Sequence, residues 1–196
     1  VNLSYISLDD PELYADLFRA VGKAMAEIWA EFLRRFGDIY CVCRFGDDLG
    51  FKSSTLLSAS DIRTHVIPQY KTVVDLVHAA GKPFLLHSCG NIFNVMDDII
   101  AAAHIDAKHS NEDQIAPFSE WVDRYGDRIG NFGGIDTDHL CRKSEQEIRE
   151  IVTAAVSYCA HGRGGFALGS GNSIPDYVPP AGYLAMIETG RRLRGE

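Results

Sequence analysis

Short apolar runs alternate with longer amphipathic stretches along this chain, and every run ends in a polar cluster. The runs are DIYCVCRF (38–45), KPFLLH (82–87), IDAK (105–108), RIGNF (128–132) and GFAL (165–168). The clusters behind them are GDD (46–48), HSCGN (87–91), HSNED (109–113), GGIDTD (133–138) and GSGNS (169–173). Apolar strands separated by helix-length stretches are the pattern of repeated βα units in a parallel sheet. An open doubly wound sheet and a (β/α)8 barrel both suit that order, and both bind ligands at the carboxyl ends of their strands. The five clusters are therefore predicted to converge on one mouth.

The intervening stretches carry helix signals. Asp9 and Asp10 followed by Pro11 give an acidic cap with proline in the first turn. Leu13, Leu17, Val21, Met25, Ile28 and Phe32 then recur at helical spacing up to Phe36. Ser60 and Asp61 are read as capping a helix over 62–80, followed by helices over 95–103 and 121–125. Ser144 with Glu147 forms a capping box for a helix reaching Ala160, and the last helix covers 181–193. Gly133 and Gly134 are expected to stop the fourth strand.

A chain of 196 residues is long enough for one domain and short for two. No linker or low-complexity tract divides it, so residues 1–196 read as one domain. It is 46% hydrophobic and 23% charged, enough to bury a core and too apolar for a disordered tail. Lys and Arg number 19 against 27 Asp and Glu, a formal charge of −8, which argues against sequence-independent nucleic-acid binding. Nothing approaches the ~18 consecutive apolar residues of a membrane span. The first residues lack the basic and apolar regions of a signal peptide. The five cysteines (41, 43, 89, 141 and 159) are odd in number and scattered. Reduced thiols in a cytoplasmic protein are expected, some of them metal ligands.

His87-Ser88-Cys89 places two soft ligands two residues apart at a strand end, where both side chains point the same way and suit zinc. The alternative is a buried thiol beside a histidine bonded to the backbone. Cys41 and Cys43 share a strand face and read as core, as do Cys141 and Cys159 in helical patterns. Asp47 and Asp48 can serve as acid–base groups, substrate hooks or metal ligands, or as a turn and cap. Glu112 and Asp113, and likewise Asp136 and Asp138, carry the same ambiguity. The GSGNS turn can cradle an anion, but lacks the spacing of the nucleotide-binding loops. His65, His78, His104, His139 and His161 fall in or beside helices and read as surface or satisfied side chains.

PELYADLF, FGDD, IPQYKTVVDLVHAAGKPFLLHSCGN, IDAKHSNED, YGDRIGNFGGIDT and GGFALGSGNSIPDYVPP together resemble the uroporphyrinogen decarboxylase superfamily, in the family's order and over nearly the whole chain. The resemblance implies an α/β fold of (β/α)8 TIM-barrel type with the site at its C-terminal mouth. It also implies that this chain, which opens on Val, is the C-terminal part of such a barrel, with about five βα units present. On that expectation the strand holding Cys41 and Cys43 is an open edge, completed by upstream residues or by a second copy of the chain.

The superfamily has two branches. Its decarboxylases act on uroporphyrinogen without a metal. Its corrinoid-linked methyltransferases hold zinc through a His-x-Cys pair and a later Cys. His87-Ser88-Cys89-Gly90 is similar to the methyltransferase pair, whereas the turn expected to hold the later ligand offers Ser170 and Asn172. Zinc held by one imidazole and one thiolate needs a further protein ligand, and Asp48 or Glu112 is the expected donor among Asp47, Asp48, Glu112 and Asp113. The resemblance thus implies zinc-assisted methyl transfer between a small substrate or thiol and a corrinoid on a partner protein. His87 and Cys89 would hold the metal, Asp47 or Asp48 would complete or orient it, and Ser170, Asn172 and Asp136 would contact substrate. The alternatives are metal-free tetrapyrrole decarboxylation, with Asp47 positioning pyrrole N–H groups, and non-catalytic binding of a corrinoid or porphyrin.

Overall fold

The computed structural model describes residues 2–161 and 164–196. Helices α1 (Asn2–Asp9) and α2 (Pro11–Phe36) lead into strand β1 (Cys43–Gly46). A continuous helical segment follows, made of α3 (Ala59–Asp61), a π turn (Ile62–Val66) and α4 (Ile67–Ala79). Then come β2 (Phe84–His87), α5 (Phe93–Asp98) with a π turn at Ile99–Ala103, β3 (Ala107–His109) and α6 (Phe118–Tyr125). The chain ends with β4 (Gly130–Ile135), α7 (Thr137–Arg142), α8 (Glu145–Cys159), β5 (Phe166–Ser170) and α9 (Pro180–Leu193).

All four strand pairings are parallel and the order is β1-β2-β3-β4-β5. Each crossover therefore advances the sheet in one direction. Right-handed crossovers with a single direction of advance put every connecting helix on the same face. That is a barrel-type arrangement, and it excludes the doubly wound sheet, whose order must reverse at a switch point. The fold is α/β, a partial TIM barrel with five parallel strands among the described residues.

The helix-facing side holds the main core. Cys43, Phe84 and Leu86 pack there with Ile62, Val74, Met96, Ile99 and Trp121. A second cluster of Ile135, Leu140, Ile148, Val152 and Met186 joins α7, α8 and α9 to the end of β4. Parallel partners share a face, so Arg44 with Leu85 and Gly46 with His87 and His109 line the opposite side.

Several boundaries depart from the sequence expectation. The first strand shortens from 38–45 to Cys43–Gly46, because its partner begins only at Phe84 and Cys43 N–H already donates to Pro83 O. Cys41 is left outside the strand and exposed. Ser58, and not Ser60 or Asp61, caps the segment before β2, its Oγ accepting from Asp61 N–H. Gly133 and Gly134 do not stop β4; they carry it through with φ of 124° and 107°. The apolar stripe that marks α2 as a helix is largely outward, Val21 and Ile28 being 63% and 61% exposed. The packed face is instead Tyr14, Phe18, Gly22, Met25, Trp29 and Leu33. Gly22 lies against α4, where a Cβ would meet the Gln69 side chain. The Ser144–Glu147 capping box forms as expected.

Lys108 points from β3 into the helix-side core. Its Nζ donates to Ser110 O and lies 3.6 Å above the centre of the Trp121 ring. Burial lowers its pKa from 10.5 to about 7. The unfolded chain therefore binds more protons than the native one between pH 7 and 10.5. Native stability rises with pH across that window, and is lost again as pH falls toward 7. Lys108→Met is expected to remove this rise, on the order of 3 kcal/mol. Urea unfolding of both proteins at pH 7 and 10 checks it, and parallel pH dependences would contradict it.

Candidate metal centre

The turn after β1 separates two adjacent carboxylates. Asp47 continues the helix-facing alternation of Cys43 and Phe45, and its Oδ2 accepts from Tyr70 Oη at 2.8 Å. Burial raises its pKa. Asp48 falls on the other side, where Oδ1 accepts from Cys89 N–H at 3.0 Å. That bond holds its carboxyl below the ordinary range.

Backbone contacts clamp this turn to the end of β2. Asp47 N–H donates to His87 O at 2.9 Å, Gly50 N–H to Cys89 O at 3.2 Å, and Leu49 N–H to Ser88 Oγ at 3.1 Å. Gly90, at φ 86°, makes the approach possible, because a Cβ there would strike the backbone of Gly50 and Phe51.

The clamp gathers Asp48, His87 and Cys89, whose ligand atoms all lie within 4.8 Å of one another. Cys89 Sγ is 3.5 Å and Asp48 Oδ1 3.9 Å from His87 Nε2. Zinc bonds of ordinary length at tetrahedral angles would space such atoms about 3.3–3.6 Å apart. Imidazole, thiol and carboxylate are also the donor types zinc takes, so the residues fit the ion. Burial pushes the Cys89 thiol up, while Ser110 Oγ at 3.5 Å and Asn172 Nδ2 at 3.3 Å donate to its sulfur and act in the opposite direction. Burial, then the Arg44 guanidinium, pulls the His87 pKa down, which keeps the imidazole neutral and able to ligate.

The remaining sequence candidates fall elsewhere. Asp47 is turned from the triad toward Tyr70. Glu112 is not part of the cluster and lines a neighbouring cavity of about 270 Å³ with Lys52, Gln114, Asp136, Asp138 and Asn172. Asp136 borders that cavity, but both its oxygens are engaged by backbone, accepting from Asp138 N–H at 2.8 Å and Asp113 N–H at 2.7 Å. It caps α7 and ties down the loop after β3. Ser170 Oγ donates to Asn172 O at 2.6 Å. Asn172, on the turn where a later ligand was expected, touches the sulfur as a hydrogen-bond donor.

His109 and Arg44 were missed. His109 Nδ1 is 2.6 Å and Arg44 Nη2 3.0 Å from His87 Nδ1. The signal for His109 was present, since His-Ser ends two consecutive strands, at 87–88 and 109–110.

Gly90→Ala is expected to destabilise the protein by about 2–4 kcal/mol and to lower zinc affinity by moving Asp48 away from Cys89. Gly81→Ala is the control: φ there is 71° with open space around it, so about 1 kcal/mol and unchanged zinc affinity are expected. Chemical denaturation and chelator competition on both variants measure this.

The family model described as Uroporphyrinogen decarboxylase (URO-D) matches residues 3–193. No curated protein matches the sequence. Among solved structures, a methyltransferase from Methanosarcina mazei is similar with a TM-score of 0.74 and 16% identity, over 98% of this chain and 53% of that one. The chain thus spans about half the length of that neighbour, and at this identity the likeness bears on the fold. No helix among the described residues is long and apolar enough to cross a membrane. With nearly its whole length matched by the family model, the chain belongs to the uroporphyrinogen decarboxylase family.

Proposed function

We propose that this chain carries the metal-binding part of a zinc-assisted methyltransferase, moving a methyl group between a small substrate or thiol and a corrinoid borne by a partner protein. The observation that carries the reading is the Asp48–His87–Cys89 triad. A metal-free tetrapyrrole decarboxylase would have no use for a thiol and a neutral imidazole clamped around an acidic group. The fold neighbour, itself called a methyltransferase, is consistent with this reading.

Zinc bound there would lower the pKa of a substrate thiol and hold it as the nucleophilic thiolate. Three protein ligands leave a position open for that sulfur. His87, Cys89 and Asp48 hold the ion. Ser110 and Asn172 donate to the Cys89 sulfur, spreading its negative charge and keeping it oriented. Asn172 also lines the cavity shared with Lys52 and Glu112, one side chain away from the triad, and this supports substrate binding there. The corrinoid protein delivers its cofactor to the mouth.

The test uses the full-length protein with methylcobalamin and a small thiol. Transfer is expected to need zinc, to stop on chelation and to return when zinc is restored. Cys89→Ser should lose zinc and transfer while melting within a few degrees of wild type, because Ser nearly preserves the volume. Full zinc occupancy in Cys89→Ser would overturn the metal site. Decarboxylation of uroporphyrinogen by the chelated protein would overturn the methyltransferase assignment.

A further inference from the structure

His87 Nδ1 has two neighbours that make opposite demands on it. Arg44 Nη2, 3.0 Å away, can only donate, and would need Nδ1 as a lone pair. His109 Nδ1, 2.6 Å away, can donate or accept. If Arg44 prevailed, the neutral His87 ring would carry its hydrogen on Nε2, the atom facing Asp48 and Cys89, and that atom would have no lone pair for a metal.

The other end of His109 decides between them. Its Nε2 is 3.0 Å from Ser170 O. A carbonyl oxygen only accepts, so Nε2 carries the hydrogen and the neutral ring presents Nδ1 as a lone pair. Arg44 already brings one positive charge against this pair of rings, so the pair takes no second charge on His109. The short contact between the two rings then takes its hydrogen from His87 Nδ1.

The backbone holds this relay in place. His87 and His109 are register partners, and Ser88 N–H donates to His109 O at 2.7 Å. Ser170 lies two strands away, and His109 reaches it across β4 at a glycine. A Cβ on Gly133 would lie 3.5 Å from His109 Cδ2 and 2.6 Å from Asn111 Oδ1.

We propose that His109 is a positioning residue, which through the Ser170 carbonyl fixes His87 as its Nδ1–H tautomer and turns the Nε2 lone pair toward Asp48 and Cys89. The proposal rests on the metal-centre reading, but the tautomer is defined with or without a metal. Arg44 is then beside an N–H, and its guanidinium is not satisfied by His87.

Imidazole ¹⁵N spectra of the full-length, metal-free protein test this, with the His87 signals assigned by their loss in His87→Gln. Wild type is expected to show His87 protonated at Nδ1 and bare at Nε2. The reverse tautomer would overturn the proposal, whatever the variants do. His109→Leu is expected to release the tautomer and to weaken zinc binding about 10- to 100-fold by chelator competition. His109→Asn, which keeps an acceptor near the old Nδ1 position, should stay within about threefold of wild type. An unchanged tautomer and affinity in His109→Leu would also overturn it. If wild type binds no zinc, the metal-centre reading fails, and the wild-type spectrum alone decides the role of His109.

Discussion

The mouth of this sheet depends on the parallel register that sets Gly46 beside His87 and His87 beside His109. Parallel partners face the same side, so this register brings two imidazoles level. A shift of one residue in β2 would send His87 to the helix side and put Leu86 at the mouth. The register is protected from the other face by Phe84 and Leu86, both fully buried among the helices. Core packing on one side of the sheet thus fixes chemistry on the other.

Next to that register, the clamp between the turns after β1 and β2 sets the distances. It is built from main-chain bonds, Ser88 Oγ and one carboxylate, so it needs no metal to form. Asp48 is therefore held beside Cys89 beforehand, and little ordering remains to be done when an ion binds. The groups around the sulfur divide the work. Burial keeps the thiol protonated, whereas Ser110 and Asn172 donate toward the thiolate that binding creates.

The architecture was legible because βα periodicity is a local signal and polar clusters reported every strand end. The chemistry of His87 and Cys89 was legible for the same reason, as two metal-ligating residue types two positions apart at a strand end. What sequence could not give was which carboxylate joins them. Asp47 and Asp48 are neighbours in sequence and lie on opposite sides of the sheet, and Glu112 stands by a cavity next to the triad. That choice is made by hydrogen bonds between turns some 40 residues apart, Cys89 to Asp48 and Leu49 to Ser88. Gly133 and Gly134 misled for a related reason. Glycine commonly ends a strand, but here it lets β4 pass beneath the side chains of Asn111 and His109. On α2 the periodicity indicated a helix, but which face is buried was not legible from it: Leu13, Leu17, Val21 and Ile28 are exposed while Tyr14 and Gly22 are buried.

One thiolate, one imidazole and one carboxylate from three fixed positions are proposed to hold a single zinc ion. Zinc-edge X-ray absorption of the full-length protein, loaded to one equivalent, tests it most directly. A four-coordinate shell is expected, with one sulfur at ~2.3 Å, one imidazole with its characteristic outer-shell scattering, and oxygen or nitrogen in the remaining places. A shell without sulfur, or an octahedral shell of oxygens alone, would contradict it.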